Sequence, residues 1–406
     1  MRRSIWMPVV TVSAVMVFVA MHMTSVFAAG SLIISEFRLR GPSGASDEFI
    51  EIYNDSGSPH TVTAISGAGY AIAASDGVNR CVIPNGTIIP ARGHWLCTNS
   101  VAYSLGGYAA GDGTYVTDIP DNAGIALFNN STGGGSFTLA NRFDAVGSSS
   151  EANTLYKEGT GYPALTPFSI DYSFYRDDCG KSGLITTMGP CSISTPKDTD
   201  NNIADFIFVD TNGTSAGAGQ RLGAPGPQNL AAAIQRNSVF AVNSLDGNVG
   251  TSSAPNRVRD FTSDPPNNST FGTLSIRRRF VNTSGAPVTR LRFRVIDLTT
   301  FPAPSGVADM RPRTSTSVVV AGITDVATCL ATGAPATPPC SITVQGSTLE
   351  QPPSQPNGGG FNTSMSAGTI TLGTPLANGA SINLQFLLGL QQTGNFKFYV
   401  NIEALP

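Results

Sequence analysis

After residue 30, the first half of the chain consists of short apolar runs separated by glycine, proline, asparagine and aspartate. Runs of this length, bounded by turn residues, predict β-strands rather than helices. Their regular spacing is typical of a β-sandwich. The predicted strands of this half are 32–37, 48–54, 70–74, 81–83, 94–98, 125–128 and 142–146. The Gly- and Tyr-rich stretch 101–121 is predicted to be a surface loop.

The second half also predicts strands, and they are longer. A loop at 283–287, Thr-Ser-Gly-Ala-Pro, separates two alternating runs and indicates a β-hairpin. The sequence therefore predicts an all-β protein with two immunoglobulin-like β-sandwich domains in tandem. The predicted strands of this half are 273–282, 288–298, 315–323, 340–345, 368–372, 381–390 and 395–403.

A boundary between the two domains is predicted near residues 223–227, Gly-Ala-Pro-Gly-Pro, which stop any regular element. The charge changes at the same place. Residues 31–229 carry 19 acidic and 10 basic residues, a net of −9, whereas residues 230–406 carry 8 acidic and 12 basic, a net of +4. The predicted domains are therefore 30–229 and 230–406.

Residues 1–29 have the pattern of a secretory signal peptide. Arg2 and Arg3 precede an apolar run at 9–20, and small residues at 26–29 offer a cleavage site. The alternative, a retained membrane anchor, is weaker because the run is shorter than the ~20 apolar residues that span a bilayer. We therefore expect a secreted or cell-surface protein with no transmembrane segment once the signal is removed.

Six cysteines form three close pairs in sequence. In an exported protein, an even count with local spacing predicts disulfides rather than a metal site. The chain has no Cys-x-x-Cys pair, and only two histidines, His60 and His94, lie outside the signal peptide. The predicted bridges are Cys81–Cys97, Cys179–Cys191 and Cys329–Cys340.

The first two strands carry glutamates in a distinctive arrangement: Leu-Ile-Ile-Ser-Glu at 32–36 and Asp-Glu-Phe-Ile-Glu-Ile-Tyr-Asn at 47–54. Together with the segments 88–96, 122–128 and 144–147, this pattern resembles the lamin tail domain of bacterial secreted proteins. The segments at 198–206 and 221–227 resemble the end of the same module. The resemblance implies an immunoglobulin-like sandwich over residues 30–229, and it does not name a function.

Two groups of charged residues are candidate binding sites. Asp198, Asp200 and Asn202 alternate like the first ligands of a calcium loop, and Asp205 follows. Calcium would be the only cofactor, and the alternative is a solvated turn capped by these side chains. In the second half, arginines alternate with apolar residues and predict a cationic sheet face. This face would bind a polyanion, either an extracellular acidic polysaccharide or the acidic face of the first domain, or else it is an exposed solvated face. That row comprises Arg277, Arg279, Arg290, Arg292 and Arg294.

Two classes of function follow from these patterns. The first is a non-catalytic structural or adhesion protein, secreted or on the cell surface, that binds an extracellular polysaccharide or a surface protein. The alternative is an accessory or divalent-metal-dependent exported protein associated with a hydrolase or nuclease, because bacterial lamin tail domains often accompany such enzymes. Nucleic acid is a less suitable partner for an exported acidic chain without a groove-entering helix.

Overall fold

The computed structural model describes residues 32–165, 169–178, 196–213, 221–333 and 337–405. The predicted signal peptide and the predicted Cys179–Cys191 bridge lie outside the described residues. The fold is all-β, as the sequence predicts, and its two α-helices are short: α1 (Asn202–Asp205) and α2 (Val326–Ala331). Among the described residues, no helix has the length and apolar character needed to cross a membrane.

The first half forms two main sheets. One has seven strands in the order β13-β12-β11-β1-β2-β7-β8, the other has four in the order β10-β9-β4-β5, and β3 pairs with β6. The strands are β1 (Leu32–Arg38), β2 (Phe49–Asn54), β3 (His60–Thr61), β4 (Gly69–Ala74), β5 (Asn79–Pro84), β6 (Ile88–Ile89), β7 (His94–Asn99), β8 (Gly113–Tyr115), β9 (Ile125–Phe128), β10 (Arg142–Val146), β11 (Tyr172–Arg176), β12 (Phe206–Asp210) and β13 (Arg221–Leu222).

The second half also has two main sheets. One runs β14-β25-β18-β23-β22, and the other runs β15-β17-β24-β21-β20, with β16 paired to β17 and β19 to β24. The strands are β14 (Ile234–Gln235), β15 (Phe240–Ser244), β16 (Arg257–Asp260), β17 (Thr273–Asn282), β18 (Arg290–Leu298), β19 (Asp309–Arg313), β20 (Val318–Ile323), β21 (Cys340–Gly346), β22 (Thr348–Leu349), β23 (Ser364–Ser366), β24 (Ser381–Gln392) and β25 (Phe398–Leu405).

A large apolar core lies between the two sheets of each half. In the first half, Ile34, Ile52 and Trp95 of the seven-stranded sheet pack with Ile72 and Leu127 of the four-stranded sheet. Both sheets of the second half likewise contribute to its core, β17 and β24 from one sheet and β18 and β25 from the other. Burying one face of each sheet is the dominant favourable term for such a fold.

Two predictions of local structure are wrong. The predicted strand 368–372 is a turn closed by a bridge between Thr371 and Thr374, and the strand of this region, β23, lies a few residues earlier. The stretch 101–121 is not a plain surface loop either. It supplies β8, which pairs in parallel with β7, and its Leu105 is buried against Phe49.

Two of the three predicted disulfides are confirmed. Cys81 and Cys97 join the two sheets of the first half, from β5 to β7. Cys329 and Cys340 join α2 to β21 in the second half. Each bridge closes a short loop, for which the chain-entropy model gives a stabilisation of about 3 kcal/mol.

The two halves are in direct contact. Gly223 forms a parallel bridge with Phe361, and the amide of Phe361 donates a hydrogen bond to the carbonyl oxygen of Leu222. Phe361 also packs in an apolar cluster with Ile207 and Val209 of the first half. The seven-stranded sheet thus has its core on one side and the second half of the chain on the other.

Candidate functional site

Two of the four predicted calcium ligands, Asp198 and Asp205, contact an arginine. Arg176, at the end of β11, is buried, and its Nη2 donates hydrogen bonds to both oxygens of Asp144, at 2.7 and 2.8 Å. Its Nη1 lies 3.2 Å from Oδ1 of Asp198 and 3.5 Å from Oδ2 of Asp205. The guanidinium therefore provides the positive charge that these carboxylates need.

The four predicted ligands are not brought together as one set. Asn202 is buried and uses its amide to donate to the carbonyl of Ala145 and to accept from the backbone amide of Gly147. Asp200 is exposed on a turn, with φ of 54°. Asp205 accepts hydrogen bonds from the amide and the hydroxyl of Thr199, which shape the turn before α1.

A different trio of carboxylates, Asp144, Glu158 and Asp198, has oxygen atoms within 4.8 Å of one another. Burial and the neighbouring Asp144 charge raise the pKa of Asp198 to about 6, and they raise the pKa of Glu158 as well. Arg176 contacts Asp144 and Asp198, and Nη2 of Arg142 lies 3.1 Å from Glu158, so each of the three carboxylates has an arginine partner.

The arginine row does not form one exposed face, which corrects the sequence-based prediction. Arg277 and Arg279 lie on β17, whereas the other three lie on β18 in the opposite sheet. Arg290 is partly exposed and lies 3.3 Å from Glu350. Arg292 and Arg294 are buried, with 2 and 7% of their surface exposed. The polar face of β18 is covered because the first half of the chain packs against it.

Glu403 of β25 forms ion pairs with both buried arginines, and Glu350 lies 3.6 Å from Nη1 of Arg292. Glu403 lies opposite Arg292 in the strand register, and it accepts hydrogen bonds from Nε of Arg292 and from Nε of Arg294, the latter at 2.6 Å. Nη1 of Arg294 donates in addition to the backbone and side-chain oxygens of Asn362, at 3.0 and 2.9 Å. A carboxylate held between two guanidinium groups is a strong, charge-assisted arrangement.

Glu36 and Glu51 face this group from the first half. Asn362 Nδ2 donates to Oε1 of Glu36 at 3.0 Å, and the amide of Gly226 donates to the same oxygen at 2.9 Å. The amide of Gln228 donates to Glu51. We call Glu36, Glu51, Arg292, Arg294 and Glu403 together the charged interface.

The pKa values within the charged interface move in opposite directions. Burial opposes the charge of Glu403, but Arg292 and Arg294 outweigh this effect and lower its pKa to about 2. Burial raises the pKa of Glu36, and it raises that of Glu51 well above the usual range, with the Glu36 charge adding to the effect. Glu403, which lies between the arginines, is thus charged at neutral pH, whereas burial shifts Glu36 and Glu51 towards their neutral forms.

The charged interface encloses a cavity of about 60 Å³, lined in part by Ser35, Glu51, His94 and Arg294. Burial lowers the pKa of His94 to about 3, so its imidazole is neutral. The hydroxyl of Ser35 donates to Glu51 rather than to His94. In this Ser-Glu-His group the serine does not donate to the histidine, which is the hydrogen bond that activates a serine nucleophile. The three side chains instead pack between the two halves of the chain.

Sequence reasoning missed Glu403 and Asn362, which decide what the β18 arginines do. Their signal is weak, because pairing across strands depends on a register that one sequence does not reveal. It also missed Arg278, for which a signal exists. Arg278 occupies an apolar-face position in the alternation of Ile276 and Phe280.

No family model, no curated protein and no solved structure matches the chain.

Proposed function

We propose that this chain is an exported, non-catalytic structural or adhesion protein, built from a lamin-tail-like module and a second β-sandwich. In this proposal both modules are immunoglobulin-like, and the protein binds an extracellular polysaccharide or a surface protein. The observation that carries it is the charged interface, where Glu36 of the first half shares Asn362 with Arg294 of the second. Such a contact suits a load-bearing pair of modules with a fixed relative orientation.

Two further features support this proposal. The disulfides Cys81–Cys97 and Cys329–Cys340 are typical of proteins that fold in an oxidising compartment. The carboxylates at 144, 198 and 205, which could have served a metal-dependent enzyme, contact Arg176 instead. Most of the charged groups of the two predicted sites thus have ion-pair partners within the chain: Asp198, Asp205, Arg290, Arg292 and Arg294.

The test is to measure binding and catalysis on the same preparation. Purified mature chain, residues 30–406, is labelled and added to native cells before and after enzymatic removal of surface protein or polysaccharide. We expect saturable binding that one of the two treatments abolishes, and a processed native protein in the surface or extracellular fraction. Divalent-dependent hydrolysis of nucleic acid or phosphate esters that is lost in Asp200→Ala would overturn the proposal.

A further inference from the structure

The two sheets of the second half separate along one edge, where β15, β16 and β17 face β25. The groove between them has a volume of about 470 Å³. This falls in the ~300–1,000 Å³ range of small-molecule sites. We call this opening the aromatic groove.

The floor of the aromatic groove is apolar. Phe280 of β17 and Phe386 of β24 are each 2% exposed, and Phe398 and Ile402 of β25 line the facing wall. At the rim, Phe396 is 36% exposed. Phe396, Phe398 and the rim residue Val242 are partly exposed, and covering such apolar side chains with a ligand is favourable.

Two arginines stand at the mouth of the aromatic groove. Arg278 lies between Ile276 and Phe280 on the core-facing side of β17, opposite the buried Leu384 in the strand register. Arg257 of β16 lies opposite Ile276 and therefore faces the same side. Both arginines are only half-buried, unlike the aromatic floor. The groove thus combines an apolar interior with a cationic entrance.

Neither of these two arginines has a carboxylate partner within the described ranges. Arg278 donates from Nη1 to the carbonyl oxygens of Asn256 and Arg277, and Arg257 donates from Nε to that of Ser252. These bonds orient the guanidinium groups and leave further donors free. Burial lowers the pKa of Arg278, and the nearby charge of Arg257 lowers it further, so the two cations repel each other.

The opening is elongated. A neighbouring cavity of about 320 Å³ shares Arg257 and Phe396 with the groove and continues towards Leu274 and Leu390. An extended chain fits this shape better than a compact ring system does. The guanidinium of Arg257 also lies 5.6 Å from the ring centre of Phe396, where the apolar and cationic surfaces meet.

From this geometry we infer that the aromatic groove binds a single-chain amphipathic anion, such as a long-chain fatty acid or an alkyl phosphate. The alkyl chain covers the partly exposed Val242, Phe396 and Phe398 above the buried floor. The anionic head group accepts hydrogen bonds from Arg257 and Arg278. A guanidinium group donates two parallel hydrogen bonds to a carboxylate or phosphate, which explains why both positions are arginine. Bringing an anion between the two arginines relieves their repulsion. The inference does not depend on the proposed function.

The chain offers a matched control on the same strand. Arg277 is adjacent to Arg278 and also half-buried, but it points to the opposite face, where its Nε donates to Gln385. Replacing either residue removes one positive charge from β17. Only the Arg278 replacement changes the groove.

The experiment measures binding of cis-parinaric acid, a fluorescent long-chain carboxylate, to purified residues 30–406, with palmitate and hexadecyl phosphate as competitors. We expect saturable binding. Affinity for the ligand should fall about tenfold or more in Arg278→Met and Arg257→Met, because each variant loses a charge-assisted hydrogen bond. In the control Arg277→Met, affinity should stay within about twofold of the unmodified protein. Val242→Glu, which places a carboxylate at a rim residue that is 51% exposed, should abolish binding without disturbing the core.

Each outcome separates the alternatives. Preference for palmitate or for hexadecyl phosphate identifies the head group, and both support the inference. Equal competition by hexadecanol, which has no charge, would show that the arginines do not recognise the ligand and would overturn it. No saturable binding by the unmodified protein, or equal affinity in Arg277→Met and Arg278→Met, would overturn it as well.

Discussion

Two pairs of arginines in the second half of the chain have opposite surroundings. Arg292 and Arg294 are buried under the first half, and Glu403 lies between them. Arg257 and Arg278 are half-buried at the mouth of the aromatic groove, and no ion pair joins either one to a described carboxylate. The first pair is neutralised within the fold, whereas the second leaves its charge available to a ligand.

The difference shows that the role of a charged residue on a strand depends on the groups that lie opposite its side chain. A buried ion pair contributes little net stability over an apolar replacement, but removing one partner is costly because the other charge stays buried. A half-buried cation without a partner has the reverse property, since its removal relieves desolvation and repulsion. The two pairs should therefore respond differently to substitution.

The largest effect is expected for Glu403→Gln. This change leaves Arg292 and Arg294 buried without the carboxylate between them, so the free energy of unfolding should fall by about 3–5 kcal/mol. Urea unfolding measures it. The control is Asp55→Asn, which breaks the partly exposed Arg92–Asp55 pair and should cost about 1 kcal/mol or less. A cost for Glu403→Gln no larger than that of the control would show that the charged interface is not neutralised as described.

Glu48 offers the opposite case, a buried carboxylate without a cation. It accepts hydrogen bonds from Asn99, Tyr115 and the amide of Ile119, and burial raises its pKa from 4.5 to about 7. Between these two pH values the folded state holds the proton more tightly than the unfolded state does. The contribution of Glu48 to stability is therefore fully present below pH 4.5 and is lost as the pH rises through about 7.

Glu48→Gln should remove this pH dependence, which amounts to about 3 kcal/mol at most. Unfolding curves of the variant and the unmodified protein at several pH values between 5 and 8 test the prediction. A stability difference between Glu48→Gln and the unmodified protein that stays constant with pH would contradict the raised pKa of Glu48.

Glu403 responds to pH in the opposite sense. Because its pKa is lowered to about 2, its contribution to stability is present above pH 4.5 and is lost as the pH falls towards 2.

The alternation of apolar and polar residues predicted most of the strands because each sheet buries one face in its own core. It also placed Leu291, Phe293 and Val295 correctly on the apolar side of β18. For the other side of that strand it left solvent, an acidic polymer and the acidic first half as alternatives. Nothing in the local pattern shows that residues far away in the sequence, such as Glu36, lie against this face.

The candidate sites show the same limit. The Asp/Asn cluster at 198–205 is visible in the sequence, but its partner Arg176 reaches it through the pairing of β11 with β12. Arg278 could have been found, because it interrupts the apolar series at 274, 276 and 280. A charged residue at a core-facing position conflicts with folding, and such conflicts concentrate at functional sites.

A smaller effect is expected where Asn362 joins the two halves. Its φ is +60°, so glycine is the replacement that keeps the backbone unstrained. Asn362→Gly removes hydrogen bonds to Glu36 and Arg294 and should lower the free energy of unfolding by about 1–3 kcal/mol. Asn268→Gly is the matched control. Asn268 has φ of +57° and is half-buried, and its amide donates to the carbonyl of Pro356 rather than to a charged group, so its replacement should cost less. Equal effects of the two substitutions in urea unfolding would contradict the account of the charged interface.

The central claim, that one arginine pair is structural and the other is available to a ligand, is tested most directly by the stability of Arg278→Met measured beside Arg292→Met. Methionine keeps most of the side-chain length in both cases and removes the charge. We predict that Arg278→Met leaves the free energy of unfolding in urea experiments unchanged or raises it by about 1 kcal/mol at most, whereas Arg292→Met lowers it. Destabilisation of similar size in both variants would show that Arg278 holds the fold together as Arg292 does, and would contradict the account.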